Sequence, residues 1–210
     1  MRKVLFAALV LAFATASAPA ALWNTGVDNS GVALPYGTAD PHYSLITVPS
    51  GPSTAMAIVP HPDWVAPPAD ARWIAPTPYG TQDPDGWFHF EQRFNVTSTS
   101  GFAVSGKWAT DNSGQIYLNN IDTGIVRAFG SSGTYGFQSL EAFEITSGFQ
   151  LGANTLQFRV RNGDLVLPHG IPPGPMGLLV TDVTVVPVPG AVLLGMLGLS
   201  VVGVKLRKRA

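Results

Sequence analysis

Trp87-Phe88-His89-Phe90-Glu91-Gln92-Arg93-Phe94-Asn95-Val96 is the stretch that decides the fold. Phe88, Phe90, Phe94 and Val96 share one parity, and His89, Glu91, Arg93 and Asn95 share the other. Successive side chains of a strand point to opposite faces, so the alternation predicts a strand with one face in a core and one in water. The same pattern recurs outward from here. Phe102, Val104 and Trp108 alternate with Ala103, Ser105 and Lys107, and Ile116 and Leu118 flank Tyr117. Leu156, Phe158 and Val160 alternate with Thr155, Gln157, Arg159 and Arg161. A last strand over about 178–186 carries Leu179, Val183 and Val185 on one side. Asp111-Asn112-Ser113-Gly114, Ser131-Ser132-Gly133 and Asn162-Gly163 supply turn chemistry between them. Short, regularly spaced strands with such turns predict an all-β domain, an antiparallel jelly-roll or β-sandwich, with one helical turn near 137–142. The absence of an internal repeat argues against a propeller or solenoid.

Upstream, residues 22–86 are rich in proline, glycine and small polar residues. Pro60, Pro62, Pro67, Pro68, Pro76, Pro78 and Pro84 exclude long helices, and short edge strands with ordered loops are expected there.

The two ends differ from the middle. Met1-Arg2-Lys3 is basic, Val4–Ala14 is apolar, and Ala18-Pro19-Ala20-Ala21 follows. That order reads as a secretory signal peptide over 1–20, cut after Ala20. At the far end, residues 190–204 are apolar and uncharged, and Lys205, Arg207, Lys208 and Arg209 close the chain. A helix over about 190–206 rises roughly 25 Å, a little short of a hydrocarbon core of about 30 Å. Snorkelling Lys205 covers part of the deficit, and the basic end stays cytoplasmic. Between them lies an ectodomain over 21–186, with its β core over about 70–186. It holds six of the chain's twelve basic residues and all thirteen acidic ones, a formal charge of −7. Such a surface repels phosphate backbones, so nucleic acid is not an expected partner. With no cysteine there is neither a disulfide framework nor thiolate chemistry.

The tail Val186-Pro187-Val188-Pro189-Gly190-Ala191-Val192-Leu193-Leu194-Gly195, its apolar helix and its basic cluster resemble the PEP-CTERM sorting signal. Val188 stands where that family carries glutamate. The resemblance implies a secreted precursor delivered to an exosortase-type processing enzyme, with Pro187, Val188, Pro189 and Gly190 at the processed motif. The middle is similar to galactose-binding-like jelly-roll domains. The similarity rests on Arg72-Trp73-Ile74, on Trp108-Ala109-Thr110-Asp111-Asn112-Ser113-Gly114 leading into Ile116-Tyr117-Leu118-Asn119, and on Gly152-Ala153-Asn154-Thr155-Leu156 leading into Phe158-Arg159-Val160-Arg161-Asn162. It implies a scaffold, because members of that fold bind sugars, lipids or proteins.

No metalloprotease, nucleophile-elbow or phosphate-loop motif is present. His89 and Glu91 share a strand face, His61 and Asp63 sit two apart, and Glu141/Glu144 and Asp83/Asp85 are close in sequence. None forms a reaction-specific constellation, and no catalytic residue is expected. Asp111-Asn112-Ser113 and Asp28-Asn29-Ser30 could ligate a structural calcium ion or could simply cap their own turns. No other cofactor is expected. For a polar ligand, flat apolar rings and hydrogen-bonding side chains are the required parts. Trp64, Trp73, Tyr79, Trp87, Arg159 and Arg161 are the candidates, although large rings also pack well inside a sandwich. The sequence thus predicts an exported, membrane-anchored or exosortase-processed protein of the cell surface or extracellular matrix. It is expected to be non-catalytic and to bind extracellular polysaccharide. A secreted carbohydrate-active enzyme, its carboxylate pair assembled only by the fold, is the alternative.

Overall fold

The computed structural model describes residues 21–78, 83–99, 101–128, 135–163 and 174–186. Among these residues there is no helix, and ten strands follow one another. They are β1 (Ala39–Thr47), β2 (Thr54–Ala57), β3 (Ile74–Ala75), β4 (Gly86–Val96), β5 (Ala103–Asp111), β6 (Ser113–Leu118), β7 (Ile121–Arg127), β8 (Glu141–Ile145), β9 (Gly152–Asn162) and β10 (Gly177–Val186). Every pairing between them is antiparallel, in the spatial order β7-β6-β9-β4-β1-β2-β3-β10-β5-β8. The sheet folds back on itself so that β9 faces β5 and β10. Its front layer is β7-β6-β9-β4-β1, and its back layer ends in β10-β5-β8.

The alternation that predicted strands also sets the register. Phe88 lies opposite Val160, Phe90 opposite Phe158 and Gln92 opposite Leu156. The same β9 residues meet Gly114, Ile116 and Leu118 of β6. These inward rows are buried. Phe158 sits at their centre, 5.9 Å from the Trp108 ring of β5 and 5.8 Å, edge-on, from Phe143 of β8. Contact between facing layers through large rings is the main source of stability in such a fold.

Gln92 occupies an apolar-parity position and is nonetheless buried. Its amide accepts from the Trp23 backbone N–H and donates to the Trp23 carbonyl, each at 2.9 Å. It thereby satisfies two backbone groups of a segment that has no strand partner there. That N-terminal segment is tied down further along. Thr25 N–H donates to the Val180 carbonyl, and Val180 N–H donates to Thr25 Oγ1, both at 3.0 Å. Gly26 N–H donates to Asp40 Oδ2 at 2.6 Å.

Two expectations are corrected. The short strands of the proline-rich first half, β1 to β3, lie in the interior of the sheet order, and the edges are β7 and β8. The prolines between β2 and β3 occupy the connecting loop. Pro41, which lies within β1, falls inside the register shift between Ala39 and Ser44, where its missing N–H costs no ladder bond. In place of a helical turn near 137–142 there is a turn closed by Gln138 N–H on the Tyr135 carbonyl, 3.0 Å, followed by β8.

The signal segment 1–20, Tyr79, the motif Pro187, Val188, Pro189 and Gly190, and the basic cluster Lys205, Arg207, Lys208 and Arg209 lie outside the described residues. Among the described residues, no helix is long and apolar enough to cross a membrane.

Candidate functional site

Strand pairing builds a three-by-three grid on the outer face of the front layer. Trp87, His89 and Glu91 of β4 lie opposite Arg161, Arg159 and Gln157 of β9. Those three lie in turn opposite Ser113, Gln115 and Tyr117 of β6. Strands about 4.8 Å apart and alternate residues about 7 Å apart make a surface of regularly placed polar and aromatic groups.

The grid is internally braced. The Arg159 guanidinium lies over the Tyr117 ring, 3.5 Å from its centroid. Its Nη2 donates to Gln157 Oε1 at 2.8 Å and to Asn120 Oδ1 at 3.3 Å. Arg161 lies across from Trp87, its guanidinium 5.9 Å from the indole, and donates from Nη2 to Asp85 Oδ1 at 2.9 Å. Glu91 was read as part of a solvated face, yet its side chain is only 5 % exposed. Arg93 Nε donates to Glu91 Oε1, and Gln157 Nε2 to Oε2, both at 2.9 Å. These bonds compensate its burial. Arg93 itself remains 80 % exposed. Partial burial, and then the Arg159 charge, push His89 down to about 4. It is neutral at pH 7, a form whose ring carries one donor and one acceptor nitrogen.

Tyr117 and Asn120 were not among the candidates read from sequence. Asn119 and Asn120 have φ of 53° and 64°, and Leu118 pairs with Ile121. Those values mark a two-residue hairpin turn of the kind asparagine tolerates. The Asn-Asn pair was the signal for the turn, for β7, and for an amide placed beside Arg159.

The remaining candidates lie elsewhere. Trp73 is fully buried and donates from Nε1 to the Val65 carbonyl at 3.0 Å. Trp64, set among prolines, is core as well, 4.3 Å ring to ring from Trp73. Its Nε1 donates to Asp111 Oδ2 at 2.8 Å. Asn112 Nδ2 donates to Asp111 Oδ1, and Gly163 N–H to Asn112 Oδ1, both at 2.7 Å. The oxygens weighed as calcium ligands therefore accept N–H donors. Burial pushes the Asp111 carboxyl up to about 7 against the pull of the Trp64 indole. Asp28 Oδ1 accepts from Ser30 N–H at 2.8 Å and Val32 N–H at 2.9 Å, capping its own turn. Among the described residues, no three His, Asp or Glu side chains gather as a metal site. His61 and Asp63 stand 3.6 Å apart in an exposed loop.

No protein-family model and no curated protein matches the chain. Three solved structures are similar over most of their length. A CBM35 module from Paenibacillus barcinonensis matches at 13 % identity and TM-score 0.37, over 71 % of this chain and 96 % of that one. A family 35 carbohydrate binding module from Clostridium thermocellum matches at 13 % identity and TM-score 0.35, over 70 % and 89 %. A third family 35 module, from an environmental isolate, matches at 7 % identity and TM-score 0.34, over 70 % and 96 %.

Proposed function

We propose that the ectodomain is a non-catalytic binding module whose ligand is extracellular polysaccharide, held on the outer face of β4, β9 and β6. One observation carries this reading: half-buried Trp87, His89, Tyr117 and Arg159 and exposed Arg93 share one face, although they come from three strands, and the buried Gln157 braces it from within. Aromatic planes with fixed donors and acceptors beside them are the parts a sugar chain needs. An open sheet face suits an extended polymer, whereas a monosaccharide is better held in a pocket. Glu91, weighed with His89, and Asp111, weighed for calcium, are both engaged by N–H donors. Glu91 is bound by Arg93 and Gln157, and buried Asp111 accepts from the Trp64 indole. A carbohydrate array read with the folded protein tests the proposal. Retention on polysaccharide, lost when Tyr117 and Trp87 are both replaced by alanine, is expected; retention unchanged in that variant places binding elsewhere.

The same reading takes the module outside the cell. The signal-peptide pattern delivers it, and the apolar tail with Lys205, Arg207, Lys208 and Arg209 holds it at the membrane until an exosortase-type enzyme acts near Pro187-Val188-Pro189. Mass spectrometry of the mature protein tests this. A C-terminus upstream of the apolar run is expected, and an intact Arg209-Ala210 end contradicts processing.

A further inference from the structure

The last strand leads almost directly into the apolar tail. β10 ends at Val186, and the uncharged run begins at residue 190. Four residues reach at most about 14 Å, so the end of β10 is held within that distance of the run. Strand pairing shows what surrounds that end. Val186 lies opposite Ala103, Val104 opposite Ile145, and Val96 opposite Gly152. Strands of both layers therefore share one base: β4, β8 and β10 run into it, and β5 and β9 start from it. Gly86 with Asn162, and Gly177 with Asp111, pair at the opposite end.

The stretches that build this base are free of charge. Residues 94–106, 145–158 and 183–186 include no lysine, arginine, histidine, aspartate or glutamate, in an ectodomain that holds thirteen acids. Charged groups resist dehydration, and acids are repelled by anionic headgroups, whereas serine, threonine and glutamine incur neither cost in full. The β8–β9 loop protrudes from the base. Its Leu151, 69 % exposed, is the most exposed large apolar side chain among the described residues. Phe149 turns the other way, edge-on to Phe102 at 4.7 Å. Five backbone groups of the same loop are satisfied from within. Asn154 Nδ2 donates to the Gln150 and Gly152 carbonyls, and Gln150 N–H donates to Asn154 Oδ1. Asn119 Nδ2 donates to the Gly148 carbonyl, and Gln150 Nε2 to that of Ala153. A loop bonded internally in this way loses little when it leaves water.

Resting on the reading of the apolar tail as a membrane anchor, we propose that this uncharged base docks on the lipid bilayer, with Leu151 entering the headgroup layer. That layer is roughly 5–7 Å deep on each side of the hydrocarbon, so a reach of about 14 Å leaves the base little room to stand off. Tethering also makes the contact intramolecular, and a single leucine on a neutral surface suffices where it would not from solution. The strands then rise from the membrane, with Trp87 about 30 Å above Val96 on β4.

The chain has no cysteine, so one introduced cysteine carries one label. Leu151→Cys and Ser98→Cys place a polarity-sensitive fluorophore on two exposed loops of the base. Asp63→Cys is the control, in the exposed loop beside Trp64, whose indole bonds Asp111 at the opposite end. Each signal-cleaved chain, with its tail, is reconstituted in phosphatidylcholine vesicles with or without phosphatidylglycerol, floated, and quenched with bromine-tagged acyl chains or aqueous iodide. Thermal midpoints confirm folding. The expected result is that both base labels lose emission to the bromolipid and are shielded from iodide, the control label does the reverse, and phosphatidylglycerol changes neither. A chain that floats with its base labels open to iodide and untouched by bromolipid overturns the docking and leaves the anchor standing. Base labels shielded from both quenchers overturn it in favour of a protein partner, and docking that requires phosphatidylglycerol overturns the neutral contact. A chain that does not float overturns the anchor reading and this inference together.

Discussion

Replacing Asp111 by asparagine should remove a pH dependence that the fold imposes on its own stability. Asp111 is 5 % exposed, with one oxygen on the Trp64 indole and the other on the Asn112 amide. Burial pushes its carboxyl from 3.8 up to about 7 in spite of the Trp64 bond. Below pH 4 the group is protonated in both folded and unfolded chains and has no effect. Between about 4 and about 7 the unfolded chain releases this proton and the folded chain keeps it, so stability falls as pH rises. A shift of about three pH units corresponds to about 4 kcal/mol lost in full above pH 7. Asp83, raised to about 6 by burial, adds a decline of the same sign that persists in the variant. The assay is urea unfolding at pH 4, 5.5, 7 and 8, with wild type and Asp111→Asn compared at each. With a urea m-value near 2 kcal/mol/M, the wild-type midpoint should fall by about 2 M more than the variant's across that range. Asparagine leaves one amide N–H facing a donor, but that penalty is constant with pH. Parallel profiles for the two proteins would refute the reasoning, because they would mean that Asp111 ionises in the folded chain as it does in the unfolded one.

Three further outcomes are expected. Phe158→Ala empties the junction between Trp108 and Phe143 and should cost about 3–5 kcal/mol, read as a fall in urea midpoint with binding to polysaccharide retained where the protein is folded. Gly177→Ala places a methyl 2.8 Å from the Trp64 ring and 3.1 Å from the Trp73 ring; it should destabilise by about 1–3 kcal/mol in thermal unfolding, since two packed indoles cannot yield. Leu194→Arg puts a charge into the apolar tail at a cost of about 2.5–3.5 kcal/mol, and fractionation should find the protein released or lost from the membrane.

Strand periodicity was legible where a strand keeps one face at least partly wet, and it was lost in β10, whose Leu178, Leu179, Val180 and Thr181 are all buried. Phe88, Phe90, Leu156 and Phe158 are buried on the parity expected of them. The sheet order was not legible, because it depends on which edges meet. Nothing local in Thr54–Ala57 or Ile74–Ala75 says that they lie between β1 and β10. Hydropathy also misread Glu91, whose burial follows from Arg93 and Gln157 reaching it, one of them from a strand more than sixty residues away. Trp64 was offered to a ligand because prolines surround it, but a loop can deliver a ring to the core as well as a strand can. Trp87, Arg159 and Arg161 were named from sequence and do share a face. Tyr117 completes it, and its place beneath Arg159 is visible only once the β6–β9 register is known.

Trp87 is the one tryptophan on the proposed binding face, since Trp64, Trp73 and Trp108 are buried and Trp23 stacks on His42. A fluorescence titration of wild type and Trp87→Phe with a polysaccharide retained on the array is therefore the most direct test of where ligand sits. The outer face of β4, β9 and β6 predicts a saturable emission change in wild type that Trp87→Phe abolishes. An emission change of the same size in Trp87→Phe would contradict it.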